Sequence, residues 1–317
     1  MADSSVPALV AGVLAGDVRA LARAITLVED GRPEARGVLA GVFARSGRSL
    51  VVGVTGPPGA GKSTLVDRLT ARLRAQGKTV GIIAVDPTSP FSGGAILGDR
   101  IRMQAHATDP AVFIRSMATR GHLGGLALAT GHAVVLLSAS GKDVVLVETV
   151  GVGQDEVEIA AAADVTVVVL VPGLGDEVQA LKAGIMEIAD VFAVNKADRD
   201  GADRLVAEIR AMLSLGAHEG RLPAIVKTVA TADEGSDDLL EAIEGFRAGA
   251  ESSGLLERKR RALLARQLED VLHDRLMRRV RARVLTADET ARIVDRMAAR
   301  EVDPFSAADE VLGRMGL

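Results

Sequence analysis

Seven short runs with the look of strands punctuate the chain: Leu50–Thr55, Val80–Val85, Val112–Ser116, Asp143–Val147, Val165–Val171, Val191–Val194 and Ala224–Val226. Most are rich in valine and apolar at successive rather than alternate positions, the pattern of strands buried on both faces of a parallel sheet. Helical spacing fills the intervals, as at Thr64–Arg74 and Asp237–Arg247. Ahead of the first strand, Val18, Leu21, Ala22, Ile25 and Val28 recur at helical intervals, with breaks at Gly16-Asp17 and Gly31-Arg32-Pro33. After the small, polar segment Ala248–Gly254 a long helix is expected, because Leu264, Leu268, Leu272, Leu276 and Val280 step by four along one face. Helical patterns at Ala287–Arg300 and Pro304–Met315 follow. The pattern divides the chain into an N-terminal helical extension (1–47), an α/β domain (48–250) and a C-terminal helical arm (251–317).

The first strand run leads into Gly56-Pro57-Pro58-Gly59-Ala60-Gly61-Lys62-Ser63, and the helical pattern opens at Thr64. Strand, glycine-rich loop and helix in that order make a phosphate-binding loop. The glycines let the backbone curl so that successive N–H groups face an anion. Lys62 can reach the terminal phosphate oxygens, Ser63 can offer its hydroxyl to Mg2+, and the helix N-terminus adds roughly half a positive charge. The residues from Gly56 through Thr64 are therefore candidate nucleotide contacts. The fold class expected is an α/β P-loop NTPase with a mainly parallel sheet flanked by helices, plus the helical extension and a helical dimerisation arm.

Base choice follows from Asn195-Lys196-Ala197-Asp198, directly after the run Val191–Val194. A carboxylate such as Asp198 can accept two hydrogen bonds from the ring N–H and exocyclic amine of guanine, groups that adenine does not present there. Asn195, Lys196 and Asp198 are the candidate base contacts, with a further backbone contact expected at Val229 and Ala230. The metal side of the site should lie at the intervening strand ends. Asp86 closes one run, Asp99 follows in its loop, and Glu148 closes another before Thr149-Val150-Gly151. Ser63, Asp86, Asp99 and Glu148 are candidate Mg2+ ligands; Lys62, Asp86, Asp99 and Glu148 are the candidate catalytic set; Gly151 is a candidate γ-phosphate contact. Each acid also reads as a helix cap or loop acid, Asp99 most of all. Gly151 is followed by Val152 where many GTPases carry a water-positioning glutamine, so slow intrinsic hydrolysis is expected; Gln154 stands two residues later.

Composition narrows the alternatives. The chain has 317 residues, no cysteine and a net charge of −4, which removes disulfides and thiolate metal sites and gives no sign of wholesale nucleic-acid binding. Six Phe, no Tyr and no Trp leave little with which to stack unpaired bases. The five histidines show no pair at metal-ligand spacing. Met1-Ala2-Asp3-Ser4-Ser5 lacks signal-peptide features and the apolar runs are too short for a bilayer, so a cytoplasmic protein without membrane contact is expected. Glu257–Arg283 holds ten Lys or Arg against four Asp or Glu, a segregation that fits a solvated helix face or a docking arm. Only seven of the 38 basic residues are lysine, and Lys62, Lys182 and Lys196 fall in or beside the candidate loops.

Longer stretches carry a resemblance. Gly56–Ser63, Val85–Arg100, Glu148–Gln154, Pro172–Lys182 and Asn195–Asp198 together resemble the MeaB/ArgK GTPases, the G-protein chaperones of adenosylcobalamin-dependent methylmalonyl-CoA mutase. The resemblance runs through most of the α/β domain. It implies GTP/GDP and Mg2+ as ligands, a mutase partner whose cofactor loading is gated, and a homodimer held by C-terminal helices. It also implies switches at Asp86–Arg100 and Glu148–Gln154, with a third at Gly173–Lys182 that reports nucleotide state. Two rivals share part of this pattern: metal-delivery GTPases, whose Cys/His segments this chain lacks, and a kinase linked to basic amino-acid transport, for which no phosphoacceptor pocket is evident.

Overall fold

The computed structural model describes residues 5–86, 106, 108–118, 125–149, 162–173, 186–215 and 222–315. Among these residues seven strands form one parallel sheet: β1 Leu50–Thr55, β2 Val80–Asp86, β3 Val112–Ala118, β4 Val144–Glu148, β5 Val165–Leu170, β6 Val191–Asn195 and β7 Ala224–Thr228. Their order is β3-β2-β4-β1-β5-β6-β7. Successive side chains alternate between faces, and both faces are covered. Val52, Val54, Ile82, Leu146, Val167 and Val169 pack on one side, against Leu65 and Leu69 of helix α4 (Lys62–Ala75) and Leu239 and Ile243 of a later helix. Ile83, Val85, Val145 and Val147 point to the other, as do Val168 and Leu170 farther along. This explains the unbroken valine runs of β4, β5 and β6: every position in those strands is buried, so none is under pressure to be polar, whereas β7 at the sheet's edge carries an exposed Lys227.

Helix α1 spans Val6–Leu14, and α2 (Val18–Glu29) and α3 (Pro33–Val42) begin where the breaks predict. Asp17 caps α2 by accepting from the Ala20 N–H at 2.7 Å, and Pro33 starts α3, where a missing N–H costs nothing. Leu21, Ile25 and Val38 from these helices share one buried cluster with Leu136 and Leu137 of α5 (Gly125–Ala139) and Phe113 of β3. The N-terminal helices thus complete a layer of the sheet's core.

Beyond β6 come α6 (Ala202–Leu215), α7 (Ser236–Ser252), α8 (Leu255–Arg283), α9 (Ala287–Ala298) and α10 (Pro304–Met315). Of the small, polar segment Ala248–Gly254, read as a boundary, the part through Ser252 continues α7, and the break before α8 falls at Ser253-Gly254. Ala248, Ala250 and Glu251 have good helix propensity, Ala250 is buried, and only Gly254, at φ +69°, turns the chain.

The chain divides into two compact units, Met1–Leu263 and Leu264–Leu317. In the first unit, the opening turns of α8 grip the sheet's N-terminal edge. Arg260 Nε and Nη2 donate to Asp164 at 2.7 and 2.9 Å, while Asp164 also accepts the Val51 N–H at 2.9 Å. Lys259 reaches Asp190 at 2.6 Å, and burial raises the Asp190 carboxyl above its usual range against that pull. On the same edge Asp143 accepts the Thr79 N–H and hydroxyl at 2.7 and 2.9 Å, which holds its carboxyl below the usual range. The second unit has its own small core of Val280, Ile293, Ala307 and Val311, braced by Arg296–Glu310 and Arg314–Glu289. Leu264, Leu268, Leu272 and Leu276 on α8 are 46–61% exposed. Among the described residues no helix is long and apolar enough to cross a membrane.

Candidate functional site

β1 lies between β4 and β5, and the chain departs from it in both directions: toward β2 and β3 on one side, toward β5, β6 and β7 on the other. Ligands of open α/β sheets bind outside the strand carboxyl ends at such a reversal. Gly56–Gly61 occupies that position and hands over to α4, whose first turn contains Lys62, Ser63 and Thr64, no acid, and no side-chain cap on its N–H groups. Backbone donors and the positive end of the helix are therefore left facing outward, as an anion site requires.

Lys62 is buried and its ammonium donates to the carbonyls of Gly56 and Pro57 at 2.7 and 3.0 Å, arched over the loop it follows. Those two carbonyls hold the cation at the loop. Ser63 donates its hydroxyl to Glu148 Oε1 at 2.5 Å, bringing the start of α4 to the end of β4. Two buried oxygen-bearing side chains thus lie side by side, one of them an acid, and oxygen donors of this kind are what a hard cation prefers. Asp86 ends β2, whose Ala84 lies beside Glu148 in register; its side chain, and Asp99 and Gly151 entirely, lie outside the described residues, as do Val152, Gln154 and Lys182.

Sequence reasoning passed over one connection here. Thr149 donates its N–H to the Val54 carbonyl at 3.1 Å and its hydroxyl to the Thr55 hydroxyl at 2.9 Å, carrying the β1–β4 pairing past the last strand residue. A threonine directly after a strand-end acid was the available signal.

The base-side candidates come to the same place. Asn195 closes β6 and is only 2% exposed. Its Nδ2 donates to the Ala60 carbonyl at 2.8 Å, and its Oδ1 accepts the Thr228 hydroxyl at 3.2 Å and the Ala230 N–H at 3.1 Å. One side chain thus ties the phosphate loop to the loop after β7. Gly61 is a glycine for that reason as much as for its φ of +89°, since a Cβ there would stand 2.4 Å from Asn195 Nδ2. Lys196, at φ +56°, sends its ammonium to the Gly59 carbonyl at 2.7 Å. The left-handed conformation, uncommon for lysine, is what turns the chain so that Asp198 follows as an exposed turn residue. Val229 and Ala230 begin a tight turn closed by paired backbone bonds between Val229 and Glu234 at 3.0 and 3.2 Å.

A family described as methylmalonyl Co-A mutase-associated GTPase MeaB matches residues 21–284. A Pyrococcus abyssi protein described as a GTPase is 50% identical over 94% of this chain and 93% of its own length. GTPase ArgK of Escherichia coli is 39% identical over 77% of each chain. The solved structure of an LAO/AO transport system kinase is similar over 100% of this chain and 99% of that one, with a TM-score of 0.73 and 26% identity.

Proposed function

This chain belongs to the MeaB family of GTPases, and from that premise we propose that it serves an adenosylcobalamin-dependent acyl-CoA mutase, with methylmalonyl-CoA mutase first in line. GTP state then gates the loading of intact cofactor and the removal of damaged cofactor. The observation that carries this reading is the family match over residues 21–284, whose description names association with that mutase.

In this reading Gly56–Thr64 hold the triphosphate, and Lys62 exchanges the Gly56 and Pro57 carbonyls for phosphate oxygens. Asp198 accepts from the guanine edge, while Asn195 and Lys196 keep the base and phosphate loops in register. Ser63 and Glu148 fit Mg2+ as adjacent oxygen donors; Asp86, Asp99 and Gly151 are assigned to the metal and γ-phosphate side from their places in the sequence. When bound, Mg2+ neutralises phosphate charge. The exposed row Leu264, Leu268, Leu272 and Leu276 is assigned to a homodimer seam, and the site of action to the cytoplasm.

The test is single-turnover GTP hydrolysis with and without methylmalonyl-CoA mutase. Slow turnover alone and acceleration by the mutase, short of the ~10^3 that a supplied catalytic group can give, is expected. A fast, mutase-insensitive rate overturns the reading. The likeness to the transport-system kinase favours one rival, phosphoryl transfer to a protein. It is separated in the same experiment by whether the γ-phosphate leaves as free phosphate or stays on a polypeptide.

A further inference from the structure

α4 starts at the phosphate loop, but its later turns reach the other end of the site. Arg68, six residues past Lys62 and thus about 9 Å along the helix, donates Nε to the Ala230 carbonyl at 3.0 Å. Asn195 already holds the Ala230 N–H, so both backbone polar groups of this one buried residue are fixed by side chains from two other elements. One turn on, Arg72 Nη2 meets Asp233 Oδ2 at 2.9 Å, and its Nε lies 3.3 Å from Asp237 Oδ1. Asp233 is the left-handed residue of the turn, at φ +60°. Aspartate is among the few non-glycine residues that tolerate that region, and here Arg72 also holds its carboxylate. The turn from Val229 to Glu234 is therefore shaped from beneath by two arginines of the helix whose first turn faces the phosphates.

We propose that Arg68 and Arg72 are positioning residues that set guanine affinity, by fixing the loop after β7 to the helix that carries the phosphate site. The proposal rests on the guanine reading of Asp198 and Ala230 given above. Neither arginine touches nucleotide; both act through the loop. Placing the base loop and the phosphate loop on a single helix keeps the separation between their contacts constant.

The experiment compares wild type, Arg68→Met, Arg68→Lys and Arg72→Gln for Kd of GDP and of inorganic pyrophosphate, and for kcat and KM of GTP hydrolysis. Methionine keeps the apolar stem and removes the donor; lysine can still reach the carbonyl. Losing one charge-assisted bond to the loop should weaken GDP about tenfold in Arg68→Met, raise KM in proportion, and leave kcat and pyrophosphate binding within about twofold. Arg68→Lys should recover most of the affinity, and Arg72→Gln should fall between. Equal weakening of GDP and pyrophosphate means that α4 has simply been disturbed, and overturns the proposal. So does a GDP affinity in Arg68→Met within about twofold of wild type, when wild type itself prefers GDP to ADP. Wild type that binds ADP as tightly as GDP removes the reading of Asp198, and this inference with it.

Discussion

Two glycines of the phosphate loop share one backbone conformation but not one environment, and that difference can be measured. Gly59 and Gly61 have φ of +77° and +89°; a Cβ at Gly59 would meet nothing within 4 Å, whereas one at Gly61 would stand 2.4 Å from Asn195 Nδ2. Alanine in the left-handed region costs about 1–2 kcal/mol at either position. Gly61→Ala must also displace the Asn195 amide. Giving up its bond to the Ala60 carbonyl costs about 1 kcal/mol, and swinging the Oδ1 end leaves the buried Ala230 N–H and Thr228 hydroxyl short of a partner at about 1 kcal/mol or more each. Gly59→Ala should therefore lose about 1–2 kcal/mol and Gly61→Ala about 4–5 kcal/mol or more. At about 2–4 °C per kcal/mol for a domain of this size, thermal unfolding separates the two variants clearly. GDP titration adds a second reading, because only Gly61→Ala disturbs the base loop as well. Equal Tm and equal GDP affinity in the two variants would refute the role given to Asn195 as the tie between the loops.

Three further outcomes are expected. Glu148→Gln keeps a partner for the Ser63 hydroxyl but removes a negative charge, so hydrolysis should fall on the order of 10^2 and need more Mg2+, while GDP binding without Mg2+ changes little; a Mg2+ titration of the rate checks it, and an unchanged Mg2+ requirement counts against the assignment. Lys62→Ala should abolish measurable GTP hydrolysis, since the ammonium now held by Gly56 and Pro57 is the cation proposed to meet the phosphates; turnover near the wild-type rate would contradict this. Asp143→Asn should lower Tm by an amount that depends on pH. The folded carboxyl is depressed by the Thr79 N–H, so its contribution is complete above the ordinary carboxylate value of about 3.9 and fades as pH falls through the lower folded value. Melting wild type and variant between neutral pH and pH 3 should show the gap closing only at the acid end, and a gap independent of pH would refute the assignment.

What the sequence disclosed and what it hid differ in range. Val165–Leu170 and Val191–Asn195 were legible as strands because burial on both faces leaves a continuous apolar run, and α2 was legible because Asp17 and the spacing from Val18 to Val28 are local signals. The phosphate loop was legible for the same reason, being written in eight consecutive residues. Ala248–Gly254 holds a break only at its end, Ser253-Gly254, because smallness and polarity mark loops only on average. Alanine is also the best helix former, and the packing of Ala250 decided the matter. The linkage of Asn195 to Ala60, across 135 positions, and of Arg68 to Ala230, across 162, left no trace. A side chain that bonds to a backbone carbonyl places no demand on the partner's identity, so nothing at Ala60 or Ala230 announces it.

The grip of Arg260 and Lys259 on Asp164 and Asp190 decides where this chain can be cut. A fragment ending at Ala250 would leave Asp164, 5% exposed, with the Val51 N–H as its remaining donor among the bonds described here, and would strip Asp190 of its ammonium. A buried carboxylate deprived of its cation is among the costlier defects a domain can carry. A fragment ending at Leu263 retains both cations and coincides with the limit of the first compact unit. Anyone expressing the nucleotide-binding portion alone should therefore keep the first nine residues of α8, which belong by their chemistry to the sheet they hold.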